Sequence, residues 1–90
     1  MMVYITDVHM SGGTAHEHIA DVKWRCPSNN TNGESSRTTM VDWIANKKVI
    51  AKVTDGTNTV EVGVVKGARP YLRTHADGTW TDNLLALPRY

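Results

Sequence analysis

Ser35–Lys48 reads SSRTTMVDWIANKK, and whether this stretch coils or extends decides the fold. Arg37, Met40, Val41 and Ile44 recur at spacings of three and four, which puts them on one side of a helix. Ser35 or Ser36 can accept a hydrogen bond from a free amide of the first turn. Asp42 falls on the water side, and Trp43 lies about one residue off the centre of the stripe. Asn46-Lys47-Lys48 suits a helix C-terminus by propensity and by the sign of the dipole. A helix this short with one apolar side needs a sheet to cover it.

The flanking sequence supplies strands. Met2 to Met10 alternates well enough for one, although its faces, Met2/Tyr4/Thr6/Val8/Met10 and Val3/Ile5/Asp7/His9, are poorly sorted. His18 to Cys26 sorts better, with Ala20, Val22, Trp24 and Cys26 on one side and Asp21, Lys23 and Arg25 on the other. Ser11-Gly12-Gly13-Thr14-Ala15 between them permits a hairpin with a long loop. Pro27 to Glu34, PSNNTNGE, reads as an exposed loop because it is dense in turn formers and holds no apolar side chain but the proline ring. Beyond the helix, Val49–Val53 and Thr59–Val65 form a second hairpin around Asp55-Gly56-Thr57-Asn58, and Val60, Val62 and Val64 line one face of its second strand. The expectation is an α+β fold: a small antiparallel sheet of about five strands, in the order strand, strand, helix, strand, strand, strand, with one helix on one face.

Composition sets outer limits. Ninety residues make one domain, 1–90, with a modest core, and the single Cys26 leaves no internal disulfide to support it. A formal net charge of +1 argues against strong electrostatic capture by nucleic acid or anionic lipid. No apolar run approaches the roughly 18 residues of a membrane span, and MMVYITDVHM has neither a basic n-region nor a continuous h-region. The expected setting is the cytoplasm.

The last stretch, GARPYLRTHADGTWTDNLLALPRY from Gly67 to Tyr90, concentrates the unusual chemistry. Tyr71, Arg73 and His75 share one face of a short strand, Leu72 and Thr74 the other. Ala76-Asp77-Gly78-Thr79 then reverses the chain and brings Trp80 back beside it, with Gly78 taking a positive φ. Asp82-Asn83 caps a short turn of Leu84, Leu85 and Leu87 that Pro88 ends. Tyr71-Leu72-Arg73-Thr74, a spacer, Ala76-Asp77-Gly78, then Asn83-Leu84 and Leu87-Pro88 resembles the C-terminal signature of the domain of unknown function 3892 family, small bacterial and phage proteins. That signature reads Tyr-Leu-Arg-Ser, a spacer, Pro-Asp-Gly, Asn-Leu and Leu-Pro, so Thr74 stands for the serine and Ala76 for the proline. The resemblance implies a fold and a phage setting; it implies no activity.

Four chemistries compete for these residues. Arg69, Tyr71, Arg73, His75, Asp77 and Trp80 mix cations, rings and one carboxylate, and they are the expected binding surface. A protein partner or self-association is the leading reading, in a phage setting an accessory protein that engages a host factor. Rings interleaved with cations also suit single-stranded nucleic acid, the alternative reading. His9, His16 and His18 flank one hairpin loop and are the candidate metal ligands, although no Cys pair or longer motif accompanies them. Cys26 sits on the presumed core side beside Trp24, no serine carries a nucleophile elbow, and the expectation is a non-enzymatic protein without a cofactor.

Overall fold

A computed structural model describes residues 1–76 and 78–90. Among these, seven strands form a single sheet with one α-helix: β1 (Met2–Met10), β2 (Ile19–Cys26), β3 (Thr31–Ser36), α1 (Arg37–Asn46), β4 (Ile50–Thr54), β5 (Thr59–Val65), β6 (Tyr71–Ala76) and β7 (Thr79–Thr81). Single 3₁₀ turns fall at His16–His18 and Asn83–Ala86. The α+β class stands, but the sheet is larger than the five strands expected. It is also not purely antiparallel. In the order β3-β2-β1-β4-β5-β6-β7, β1 and β4 run parallel over Met2–Tyr4 and Ile50–Lys52. Local patterning cannot announce that pairing, because β2, β3 and α1 all intervene in sequence.

The additional strand β3 replaces the second half of the loop expected over Pro27–Glu34. Its inward positions are Thr31, Gly33 and Ser35, opposite Cys26, Trp24 and Val22 of β2. The benzo ring of Trp24 lies on Gly33, where an added Cβ would come within 2.6 Å of Trp24 Cζ2. Trp24 Nε1 donates to Ser35 Oγ at 3.0 Å. A tryptophan from the neighbouring strand thus supplies the apolar cover that β3 lacks, and hydrophobic periodicity is silent there.

Two register shifts explain why β1 sorts poorly in sequence. Ile5 pairs with Trp24 and Asp7 with Lys23, so Thr6 is an extra residue; His9 pairs with Asp21 and Met10 with Ile19, so Ala20 is extra on β2. Each bulge flips the alternation beyond it. Val3, Ile5 and Val8 therefore all face the core, as do Ile19, Val22 and Cys26, whereas Ala20 does not reach it.

The helix forms where the sequence puts it. Ser36 Oγ accepts from Thr39 N at 3.2 Å, a cap of the kind that stabilises by about 1 kcal/mol. Met40 is fully buried, and Val41, Trp43 and Ile44 pack on the core around it. Trp43 belongs to the packed face because its ring meets Trp24 edge-on, centroids 5.7 Å apart at 70°. Arg37 sits at the rim and donates to the Glu17 carbonyl.

After β7 the chain crosses back. Leu84 is buried in the 3₁₀ turn, and the tail then lies along the far half of β1: Val8 N donates to Pro88 O at 2.9 Å, and Tyr90 N to Val8 O at 3.2 Å. The tail takes the edge of β1 that β4 leaves open. The 3₁₀ turn His16–His18 packs against β6, and the smallest principal extent is 24 Å. In a flat sheet that turn, which follows β1, would lie three strands away from β6, so the sheet curls around its core.

Candidate functional site

Alternation on β6 sends Leu72 and Thr74 into the core and leaves Tyr71, Arg73 and His75 on the outer face, half-buried. Trp80, on the neighbouring β7, points the same way and is 43% exposed. His75 and Trp80 face each other across the strands, their rings edge-to-face at 82° with centroids 5.6 Å apart. Both rings lean over Gly63 of β5. A Cβ there would lie 3.0 Å from His75 Cδ2 and 3.4 Å from Trp80 Cη2. A glycine in mid-strand is unfavourable by propensity, and here it gives two rings a flat seat.

Register extends this pair into a row. Trp80 opposes His75, His75 opposes Glu61, Glu61 opposes Lys52, Lys52 neighbours Tyr4 and Tyr4 opposes Arg25. All six lie on the outer face, away from α1. The Arg25 guanidinium sits over the Tyr4 ring at 5.4 Å. A shallow cavity lined by Lys52, Thr59, Val60, Glu61, His75 and Ala76 adjoins the Trp80 end.

The rest of the expected surface does not assemble around Trp80. Arg73 donates from Nε to Thr81 O at 3.2 Å and from Nη2 to Asp82 Oδ1 at 2.9 Å, so its charge is committed. Arg69 lies on the helix side, lining a groove with Arg37, Thr38 and Val41. Tyr71 opposes Val65 at the other end of β6. Asp77 lies outside the described residues.

The histidines also separate. His9 is exposed on the outer face, its Nδ1 against Tyr90 O and its ring against the Tyr90 ring. His16 is 8% exposed, with Nε2 3.8 Å from Asp82 Oδ1, beyond hydrogen-bond reach. Burial chiefly, and the Arg73 guanidinium next, lower its pKa below 6.5, against the opposite pull of Asp82 and Glu17. The His18 ring lies on Gly13, where a Cβ would come within 2.6 Å of it. Among the described residues no three His, Cys, Asp or Glu side chains converge to hold a metal ion. Cys26 is buried, its Sγ 3.3 Å from Ser28 Oγ.

Tyr90 covers part of the outer face. The Lys23 ammonium sits 4.5 Å from its ring centroid. Burial first, and then Glu34, push its phenol pKa well up, with Asp21 and Asp7 adding to the effect.

Of the binding surface expected from sequence, His75 and Trp80 lie in this row, and Arg25, Lys52, Glu61 and Gly63, which sequence did not single out, lie there with Tyr4. The available signal was phase: Lys52 alternates with Ala51 and Val53, and Glu61 with Val60 and Val62. That places each outside but does not align them across strands.

Fold and face together define a small α+β protein: one curled, mixed sheet, a single helix inside the curl, and an outer face carrying a cross-strand row of rings and charges. The chain belongs to the family described as protein of unknown function (DUF3892), which matches residues 4–88. The match takes in β1 from Tyr4 onward, the other six strands and the helix. No curated protein and no solved structure matches the chain. No helix among the described residues is long and apolar enough to cross a membrane.

Proposed function

We propose that this is a non-enzymatic interaction domain that binds a protein partner through the outer face of β4–β7, with Trp80 as the anchor. The observation that carries the reading is the seating of Trp80: a large ring that is 43% exposed and also held against His75 and Gly63. An aromatic side chain fixed in place before contact loses little freedom on binding, which is why such residues dominate interface energies. Farther along the row Glu61 and Lys52 carry opposite charges, which suits a polypeptide with both signs better than a polyphosphate. The nucleic-acid reading is weaker because Arg73 is tied to Asp82 and Arg69 sits beside α1, so neither arginine of the expected set flanks Trp80, and Lys52 in the row is paired across strands with the carboxylate of Glu61. If the chain is phage-encoded, the partner is a host protein met in the host cytoplasm.

The test compares immobilised wild type, Trp80→Ala and, as a helix-side control, Arg69→Ala in capture from lysate. Any protein identified is then titrated in purified form. Trp80→Ala should weaken binding by about 30-fold, the lower bound for a dominant anchor, and Arg69→Ala should match wild type. Equal affinity for Trp80→Ala overturns the reading. A labelled thymidine oligonucleotide is titrated in parallel at low salt. Tight, salt-sensitive binding that Trp80→Ala abolishes would favour nucleic acid instead.

A further inference from the structure

The two edges of the sheet are not alike. At one end β7 is only three residues long before the chain leaves it. At the other, β3 runs for six residues, Thr31–Ser36, paired to β2 without a register shift. Edge strands usually carry a lysine, a proline or a bulge that discourages pairing with another chain. Thr31–Ser36 reads TNGESS, with none of these and one charge, Glu34.

We propose that β3 pairs antiparallel with β3 of a second copy of this chain, about a two-fold axis through Gly33, to give a dimer with one continuous sheet. The register follows from two requirements. Residues directly opposite each other in an antiparallel pair share a face. On β3, Thr31, Gly33 and Ser35 face inward and Asn32 and Glu34 outward, so a two-fold axis must pass through a residue and not between two. An axis through Glu34 would set two carboxylates against each other, and one through Asn32 would carry Glu34 onto Asn30, which precedes the strand and has a positive φ. An axis through Gly33 sets Asn32 against the partner's Glu34 twice, a carboxamide against a carboxylate, and sets Thr31 against the partner's Ser35. Gly33 then meets its counterpart with no side chain between them. The Trp24 benzo ring of each copy already lies on that glycine, so pairing brings two indoles together on the inner side of the seam, with Trp43 behind each. A polar strand with a glycine at its centre thereby becomes self-complementary.

The purified chain should sediment as a mixture of 10.0 kDa monomer and a species twice that mass, shifting toward dimer with concentration. Asn32→Glu sets two like-charge pairs across the seam and should raise the dimer dissociation constant about ten-fold; Asn32→Lys creates two ion pairs and should lower it by about three- to ten-fold. Folding is controlled for by the monomer's own geometry. Asn32 also opposes Arg25 of β2, so Asn32→Glu gains a partner within its chain and should melt no lower than wild type while the dimer is lost. A chain that stays monomeric up to about 1 mM, a weak-contact threshold, overturns the proposal. So does a dimer that the two substitutions move in the same direction. Trp80 is at the opposite edge, so Trp80→Ala should leave the dimer intact, and either reading can fail without the other.

Discussion

Replacing Gly33 with alanine probes the device that makes β3 a strand. In an ordinary strand the change is favourable by about 0.5–1 kcal/mol, because alanine loses less backbone freedom on folding. Here the new methyl would sit 2.6, 3.0 and 3.1 Å from Cζ2, Cε2 and Cη2 of Trp24, a side chain braced on its other side by Trp43. The indole must move, and two interactions move with it. Its Nε1–Ser35 hydrogen bond stabilises by about 1 kcal/mol, and its edge contact with Trp43 by about 1 kcal/mol. Set against the propensity gain, the net loss is about 1–1.5 kcal/mol, which for a domain of this size lowers Tm by roughly 4–12 °C. Thermal melting by circular dichroism reads the shift, and indole fluorescence reports the displaced ring. Combining Gly33→Ala with Trp24→Leu should cost less than the sum of the two, because the shorter side chain removes the clash. A Tm that rises in the single variant, or strict additivity in the pair, would refute this account of β3.

The lowered pKa of His16 makes stability fall in acid. Below 6.5 the unfolded chain takes up a proton that the folded chain resists, so stability should decline as pH drops from about 7 toward 5. His16→Gln should flatten that part of the profile in denaturant titrations, and an unchanged slope would contradict the assignment. Leu84→Ala empties a fully buried site in the 3₁₀ turn behind β7, with an expected loss of about 2–5 kcal/mol. Hydrogen exchange at the amides of Val8 and Tyr90 should accelerate with it, because their bonds hold the tail to β1; undiminished protection would show that the tail docks independently of Leu84.

What could be read from sequence divides along physical lines. The helix was legible because its signal is local: a serine cap, a stripe at three and four, and a lysine-rich end. The β4–β5 hairpin was legible for the same reason, and Asp55 Oδ1 accepts from both Thr57 N and Asn58 N as its turn chemistry requires. The outward set on β6 also followed from alternation, although Arg73 was spent on an ion pair whose partner, Asp82, reads in sequence only as a cap. Bulges at Thr6 and Ala20 left no local mark, and their effect was to scramble the apparent faces of β1. Strand β3 stayed hidden because its stabilisation comes from a tryptophan on another strand. The β1–β4 pairing and the row from Arg25 to Trp80 depend on contacts far apart in sequence, which no window reports.

One consequence of β1's position concerns synthesis. β1 leaves the ribosome before every strand it pairs with, and it waits for partners made much later. One flank is claimed by β2 soon after, but the other stays open until Ile50–Lys52 and then Pro88–Tyr90 have been translated. Until those residues emerge the nascent chain presents an uncovered backbone ladder, the state in which a growing polypeptide is most exposed to adhesion and most dependent on chaperones.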